Sequence, residues 1–314
     1  MISVVIPLYN KAGHIAHALE SVLAQTVEAS EIIVVDDGST DHGDMNVLPF
    51  TKRGVRLISQ QNQGVSVARN IGLQVAISDY VCFLDADDYW LPNHLEKLSD
   101  LLKKYPSAAL WSTSHYIKRD GSLFVVKSAL PPVWTGDATG FFRAYANGLS
   151  LVNSSTACVR RQALLDNGGF PVGVKRGEDI IAWVGLALSH GVAHAAVPTA
   201  VLNQEAVNRT NTLREQDPPG SLRYLTSLIS ETRFGVEKKN SLRKLFNKIA
   251  FYTAAGFCLE GDKLGARKIL SLAWQIQSYP TAIATSILLF VPTPALRLAK
   301  KLRHKKASRI ENFL

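Results

Sequence analysis

The 314-residue sequence has only three cysteines, Cys82, Cys158 and Cys258, and they lie far apart along the chain. That number and spacing exclude a disulfide framework and a zinc knuckle, so the three thiols are expected in the core of a protein from a reducing compartment. The sequence enters a strand pattern at Ile2–Leu8 with no basic segment ahead of an apolar one, which argues against a signal peptide. These features predict a cytoplasmic protein.

Two glycine-rich motifs that bind phosphates are also missing. No Gly-x-Gly-x-x-Gly sequence follows the first strand pattern, and no Gly-Lys-Ser/Thr loop occurs in the chain. Their absence counts against dinucleotide-binding and P-loop proteins. Any phosphate group in a binding site is therefore expected to be held by a metal ion and by side chains.

No apolar run is long enough to span a membrane. The apolar segment Ala282–Val291 is followed by two prolines before about 20 residues are reached. Positions 297–314 carry seven Lys and Arg residues against one Glu, a net charge of +6 out of +9 for the whole chain. This combination predicts an interfacial anchor on an anionic membrane surface through residues 281–314. The alternative is a helix packed on the protein, followed by a solubilising tail.

Hydrophobic residues make up 46% of the chain and charged residues 19%, which is typical of a globular protein. In the first 90 residues, the order strand, helix, strand, strand, helix, strand predicts an α/β fold with a parallel sheet and crossover helices. The predicted strands are Ile2–Leu8, Glu31–Val35, Val55–Ser59 and Tyr80–Leu84. Beyond Pro218-Pro219-Gly220 only helical patterns remain. We predict one α/β domain over residues 1–215 and a helical C-terminal region over 221–314.

Polar and acidic side chains follow three of the first four predicted strands. They are Asn10 after the first strand, Asp36 and Asp37 after the second, and Asp85, Asp87 and Asp88 after the fourth. Asn10 is also expected to cap the first helix. Ligands bind at the carboxyl ends of strands in open α/β sheets. Three neighbouring carboxylates there need a compensating cation, and a divalent metal that also binds phosphates would meet that need. The alternative is a solvated acidic turn.

Four sequence blocks, in this order and at this spacing, resemble the N-terminal blocks of the family 2 glycosyltransferases. They are Ser3–Asn10, Val34–Asp41, Gln63–Asn70 and Phe83–Asp88. The resemblance extends over residues 1 to roughly 205. It implies the GT-A fold, a Rossmann-like, mixed and mostly parallel sheet flanked by helices. It also implies an enzyme that transfers a sugar from a nucleoside-diphosphate sugar and inverts the anomeric centre.

The resemblance implies a nucleobase pocket lined by Pro7 and Tyr9, with the Tyr9 ring packed against the base. Asp37 would accept a hydrogen bond from a base N–H group of the kind that uracil offers, and Asp36 would support the turn. The donor would therefore be UDP-linked. For Tyr9 the alternative is an ordinary aromatic residue of the core.

The same resemblance places Arg69 near the base or the phosphates and Asp85 near the ribose. Asp87 would be the main protein ligand of Mn²⁺ or Mg²⁺, which would bridge the two phosphates and stabilise the leaving nucleoside diphosphate. Glu178 and Asp179 match the Glu-Asp pair of the family, which implies that Asp179 is the general base and that Glu178 orients the acceptor or the base. For Arg69 the alternative is a helix-surface salt bridge, and for the two acids it is a favourable helix-dipole position.

The sequence departs from the family pattern after the next strand, where many relatives have a His close to the diphosphate. Asn208 and Arg209 are candidates to replace it. Two other function classes stay open: a nucleotidyltransferase with a similar sheet, and a non-enzymatic protein that binds a membrane peripherally. Nucleic acid is not an expected partner, because acids at a groove repel phosphodiester backbones. The family implies a glycan or lipid-linked acceptor, polysaccharide biosynthesis and a place on the cytoplasmic face of the inner membrane.

Overall fold

The computed structural model describes residues 1–126, 130–147, 151–206 and 217–298. The chain divides into two compact units, Met1–Leu213 and Arg214–Leu314, which we call the sheet unit and the helical unit. The sheet unit contains one mixed sheet and helices, and the described part of the helical unit contains helices alone.

The strands found in the described part of the sheet unit are β1 (Ile2–Leu8), β2 (Glu31–Asp36), β3 (Val55–Ser59), β4 (Tyr80–Phe83), β5 (Tyr89–Trp90), β6 (Ala108–Arg119), β7 (Ser122–Val125), β8 (Val133–Gly136), β9 (Ala157–Arg160) and β10 (Gly191–Asn203). Its helices are α1 (Ala12–Leu23), α2 (Leu48–Thr51), α3 (Val65–Val75), α4 (His94–Lys104), α5 (Ala138–Asn147), α6 (Arg161–Asp166) and α7 (Glu178–Ser189), and a 3-10 turn covers Ser154–Thr156.

The strand order is β3-β2-β1-β4-β9-β6-β10-β5, with β7 beside β6 and β8 beside β10. The strands from β3 to β4 run parallel, as do β6 and β10, whereas β9 runs antiparallel to both of its neighbours. The predicted α/β fold, a mixed and mostly parallel sheet flanked by helices, is confirmed. The short strands β5 and β8 have no clear sequence signal and form because β10 offers them an edge.

Strand β1 lies inside the sheet, between β2 and β4, and every one of its residues is buried. Its burial follows from its composition, because Val and Ile side chains suit a parallel strand that is covered on both faces. Helix α3 approaches this strand closely at Gly72. A Cβ atom at that position would lie 2.3 Å from Cγ1 of Val5, so the distance between helix and strand depends on the glycine.

The prediction that Asn10 caps the first helix is wrong. Asn10 has a left-handed backbone with a φ of 51°, and α1 begins at Ala12 with Lys11 as its N-cap residue. The Asn10 side-chain oxygen instead accepts a hydrogen bond from the backbone N–H of Thr40 at 2.8 Å. Asparagine tolerates this conformation better than most residues, so here it forms a turn that joins the ends of β1 and β2.

The helical unit contains α8 (Gly220–Ser230), α9 (Val236–Glu260), α10 (Lys263–Gln275) and α11 (Tyr279–Phe290). Its buried side chains include Leu242, Leu245, Phe246 and Ile269. The predicted C-terminal helices are therefore present. Among the described residues, no helix combines the length and the apolar character that crossing a bilayer requires.

Candidate active site

The carboxyl ends of β1, β2 and β4 meet at one edge of the sheet. The backbone N–H of Asp37 donates to the carbonyl of Leu8 at 2.8 Å, and the N–H of Leu84 donates to the carbonyl of Val5 at 3.0 Å. These hydrogen bonds extend the parallel pairing beyond the regular strands. As a result, the polar residues that follow the three strands lie at the same edge.

The carboxylate of Asp37 is buried and fastens the loop after β3 to the end of β2. It accepts hydrogen bonds from the side chain of Gln60 at 2.6 Å and from the backbone N–H groups of Gln63 and Gly64, both at 2.8 Å. A carboxylate has about four lone-pair positions, so three of them are used within the protein. Asp36 is also buried and accepts a hydrogen bond from the backbone of Ser39 at 3.2 Å.

Gly38 closes the turn after these two aspartates. Its φ is 74°, in the left-handed region that favours glycine, and a Cβ atom there would lie 2.9 Å from the backbone nitrogen of Asn62. Next to this turn, Pro7 is buried within β1, whereas Tyr9 is 46% exposed. The alternative that Tyr9 is a core aromatic is therefore wrong, and its ring is accessible to a ligand at this edge.

Arg69 joins two acids from different parts of the chain, Asp85 after β4 and Glu178 at the start of α7. Its guanidinium is buried and donates to Oδ1 of Asp85 at 2.8 Å and to Oε1 of Glu178 at 2.9 Å. Burial lowers the pKa of Arg69, but the two carboxylates outweigh it and hold the pKa above its usual range. The alternative of a helix-surface salt bridge is wrong, because the Arg69 side chain is buried and its ion pairs link α3 to Asp85 and to α7.

An aromatic cluster supports that arginine from behind. The Arg69 guanidinium lies over the ring of Phe170, 5.2 Å from its centroid. Phe170 in turn contacts Phe83 of β4 and Trp183 of α7 edge-on, with ring centroids 5.1 and 5.6 Å apart. The cluster packs β4 against α7, so the acids that begin α7 are held at a fixed distance from those that follow β4.

Asp87 forms an ion pair with Lys11. The Nζ atom of Lys11 lies 2.7 Å from Oδ2 of Asp87, and the two side chains are 11% and 15% exposed. Lys11 is the N-cap residue of α1, shortly after the end of β1, so the fold brings a cation from the first strand end to the carboxylate proposed as a metal ligand. The sequence analysis did not identify Lys11.

The three neighbouring acids after β4 do not share one cation. Asp85 pairs with Arg69 and Asp87 with Lys11, whereas Asp88 accepts hydrogen bonds from the Ser155 hydroxyl at 2.6 Å and the backbone N–H of Asn203 at 2.8 Å. Burial, and then the charges of Asp85 and Asp87, raise the pKa of Asp88 to about 8. Compensating cations are therefore present, but Arg69 and Lys11 supply them to Asp85 and Asp87, whereas Asp88 is held by hydrogen bonds.

Asp179 lies in the first turn of α7, beside Glu178. Burial, followed by the negative charge of Glu178, raises the pKa of Asp179 to about 7, although the charge of Arg69 acts in the opposite direction. Oδ1 of Asp179 accepts a hydrogen bond from the backbone N–H of Ile180 at 2.7 Å. A carboxylate with a pKa near neutrality is suited to accept a proton from a substrate.

The carboxylates after β4 are suited to coordinate a divalent cation that also binds the phosphate oxygens of a ligand. Asp85 and Asp87 supply hard carboxylate oxygens, the type that Mg²⁺ and Mn²⁺ prefer, and Mg²⁺ usually needs only one or two protein carboxylates beside phosphate oxygens. Within the described residues, no three His, Cys, Asp or Glu side chains converge to hold a metal by themselves. Asn208 and Arg209, proposed near the diphosphate, lie outside the described residues.

Comparison with known proteins identifies the N-terminal part of the chain. The family profile described as "Glycosyl transferase family 2" matches residues 3–169. An uncharacterized glycosyltransferase of Rickettsia felis is 27% identical over 192 residues, which are 61% of this chain and 31% of that protein. The chain therefore spans less than a third of the length of this curated relative.

Two solved structures have similar folds. The crystal structure of Staphylococcus aureus TarS 1-349 in complex with UDP-GlcNAc superposes with a TM-score of 0.73 at 17% identity, over 88% of this chain and 81% of that chain. A mannosyltransferase of Pyrobaculum calidifontis, in complex with GDP-Man and Mn²⁺, has a TM-score of 0.54 at 20% identity, over 99% of this chain and 86% of that chain. At these identities the likeness identifies the fold.

Proposed function

The chain belongs to glycosyl transferase family 2, and from that premise we propose that it transfers a sugar from a UDP-linked donor to a hydroxyl group of a glycan or lipid-linked acceptor, with inversion. One observation carries the proposal: Arg69 holds Asp85, on the donor side, and Glu178, beside the proposed base Asp179, at 2.8 and 2.9 Å. A reaction between two bound substrates needs both half-sites at a fixed separation.

The nucleotide would bind at the edge formed by the ends of β1 and β2. We assign the exposed ring of Tyr9 to packing against the base, with Pro7 behind it. We assign the fourth lone-pair position of Asp37 to a base N–H group, and Asp36 keeps the turn in place through its hydrogen bond to Ser39. The support for UDP as the nucleotide is the fold shared with TarS, which was crystallised with UDP-GlcNAc.

We assign Asp87 to a divalent cation, Mn²⁺ or Mg²⁺, with Asp85 near the ribose. The cation would supply Lewis-acid stabilisation of the departing diphosphate. The support for a metal is the mannosyltransferase of similar fold, whose structure is a complex with GDP-Man and Mn²⁺. Lys11, next to Asp87, contributes a further positive charge where negative charge develops on the leaving group.

Asp179 is assigned as the general base. Its carboxylate would take the proton of the acceptor hydroxyl while the hydroxyl oxygen forms a bond to the anomeric carbon and the bond from that carbon to the diphosphate breaks. A single displacement of this kind inverts the anomeric centre. The proposed task of Glu178 is to orient the acceptor or the base, and its ion pair with Arg69 fixes its own position.

A direct assay tests the proposal. The wild-type chain is incubated with Mn²⁺ and a set of UDP-sugars, and UDP release and sugar transfer to glycan acceptors are measured. We expect Asp179→Asn to fold, to bind UDP with Mn²⁺ as the wild type does, and to lose transfer. Transfer by Asp179→Asn at the wild-type rate would remove Asp179 from the mechanism, and pyrophosphate release from a nucleoside triphosphate would favour a nucleotidyltransferase instead.

We further propose that the protein acts in polysaccharide biosynthesis on the cytoplasmic face of the inner membrane, as a peripheral protein. The support is the charge distribution, because residues 297–314 carry +6 of the net +9. Juxtamembrane clusters of Lys and Arg bind anionic lipids. A non-enzymatic membrane protein would have the same tail, but it would have no use for the acids gathered by Arg69 at the sheet edge.

A further inference from the structure

Helix α11 presents its large apolar side chains to solvent. Ile283, Ile287 and Phe290 are 60%, 59% and 87% exposed, and Tyr279 at the start of the helix is also exposed. These four residues recur at intervals of four, four and three, so they form one stripe along the helix. We call them the α11 stripe.

The buried face of the same helix has the opposite character. Its buried residues are Thr281, Ala282 and Thr285. Thr281 donates a hydrogen bond to Oδ1 of Asn247 at 2.7 Å, and the Thr285 hydroxyl is buried without a hydrogen-bond partner among the described residues. A surface helix in water normally buries its large apolar residues and exposes its polar ones. The reversal in α11 indicates that the α11 stripe is covered by something other than water.

Three features favour a lipid surface as that cover. At one end of the α11 stripe, Trp274 contacts Tyr279 edge-on with ring centroids 5.9 Å apart, and both rings are exposed. Trp and Tyr are enriched where proteins meet the headgroup region of a bilayer. The helix has 12 residues, too few to cross a membrane, which suits a position within the interface. The sequence at positions 297–314 then adds a charge of +6.

We infer that the α11 stripe inserts into the interface of an anionic bilayer, while the cations of residues 297–314 bind the lipid headgroups. Apolar insertion and electrostatic attraction to anionic lipids both add to the strength of such binding. This inference deepens the proposed function and rests on it in one respect, that an enzyme acting on a lipid-linked acceptor works at such a surface. The binding itself requires neither donor nor acceptor.

Vesicle flotation of the full chain tests the inference. We expect the wild type to float with phosphatidylcholine vesicles that contain phosphatidylglycerol, and to float less as salt is raised, because salt screens the headgroup contacts. The double variant Ile283→Glu/Ile287→Glu should lose at least about tenfold in partitioning, because two charges replace inserted apolar side chains. Val236→Glu is the matched control: Val236 is also exposed, at 76%, but lies at the start of α9, and its variant should float like the wild type.

Two results would overturn the inference: no flotation of the wild type at low salt, or equal flotation of the wild type and the double variant. Light scattering after size exclusion could give a third contrary result, a wild type that is dimeric and a double variant that is monomeric. The α11 stripe would then be the contact between two copies of this chain. UDP binding, measured on the same samples, separates the two proposals. Normal UDP binding without flotation refutes only the membrane inference, and flotation without UDP binding refutes only the proposed donor.

Discussion

The Nζ atom of Lys11 lies 2.7 Å from Oδ2 of Asp87, so the carboxylate that we assign to a divalent metal already forms an ion pair with a lysine. A metal ion bound to Asp87 would be repelled by the neighbouring ammonium group of Lys11, and the repulsion would be weakly screened because both side chains are mostly buried. We therefore expect Lys11→Met to bind Mn²⁺ about tenfold more tightly than the wild type, measured by isothermal titration calorimetry without nucleotide.

Lys52→Met is the control for this titration, because Lys52 is an exposed lysine on a short surface segment. It should leave the affinity for Mn²⁺ unchanged. Equal affinity of Lys11→Met and the wild type would mean that the ammonium of Lys11 and the metal do not compete, and that Asp87 is not the principal ligand.

Arg69 is predicted to be essential for stability as well as for the geometry of the site. The Arg69→Met variant leaves Asp85 and the mostly buried Glu178 without their cation. The free energy of unfolding should therefore fall by about 3–5 kcal/mol. The matched variant is Arg53→Met, which breaks an ion pair with Glu20 whose side chains are 48% and 54% exposed. That loss should stay below about 1 kcal/mol. Urea denaturation measures both, and similar losses would contradict the bridging role.

The sheet and its acidic edge were predictable from local patterns, whereas the partners of the acids were not. Apolar runs such as Ile2–Leu8 fix the strands, and parallel strand order then gathers Asp36 and Asp85 at one edge. The ion pairs depend on contacts between distant positions: Lys11 and Asp87 are 76 residues apart, and Arg69 and Glu178 are 109 apart. The hydrophobic periodicity of a sequence does not predict which distant residues form ion pairs. The sequence patterns therefore did not predict that Lys11 and Arg69 balance the charges of these acids.

The pKa of Asp179 leads to a prediction for the pH dependence of transfer. A general base must be deprotonated, and burial together with Glu178 raises the pKa of this carboxyl to about 7. The value of kcat/KM should therefore rise about tenfold per pH unit on the acid side and level off above pH 7. A steady-state profile between about pH 5 and 9 measures it, and a profile that is flat through neutrality would contradict the assignment.

Glu178→Gln tests the cause of that raised pKa. The variant removes the neighbouring negative charge but keeps a side chain of similar shape, so the midpoint of the pH profile should move to lower pH. Glu20→Gln is its control, because Glu20 is an exposed acid of α1 in a surface ion pair and should leave the midpoint in place. A midpoint that stays unchanged in Glu178→Gln would mean that the charge of Glu178 does not raise the pKa of Asp179, and that burial and the charge of Asp85 are the remaining causes.

Two glycines within helices, Gly72 of α3 and Gly13 of α1, are predicted to respond in opposite ways to replacement by alanine. At Gly72 a Cβ atom would lie 2.3 Å from Cγ1 of Val5, so Gly72→Ala must push α3 away from the sheet and should cost about 1–3 kcal/mol of unfolding free energy. At Gly13, within α1, a Cβ atom would meet nothing within 4 Å, and Gly13→Ala should stabilise the protein by about 0.5–1 kcal/mol, because alanine loses less backbone entropy in a helix. Thermal and urea unfolding of the two variants measure both effects. If Gly72→Ala were as stable as the wild type, the close approach of α3 to Val5 would not set the position of the helix that carries Arg69.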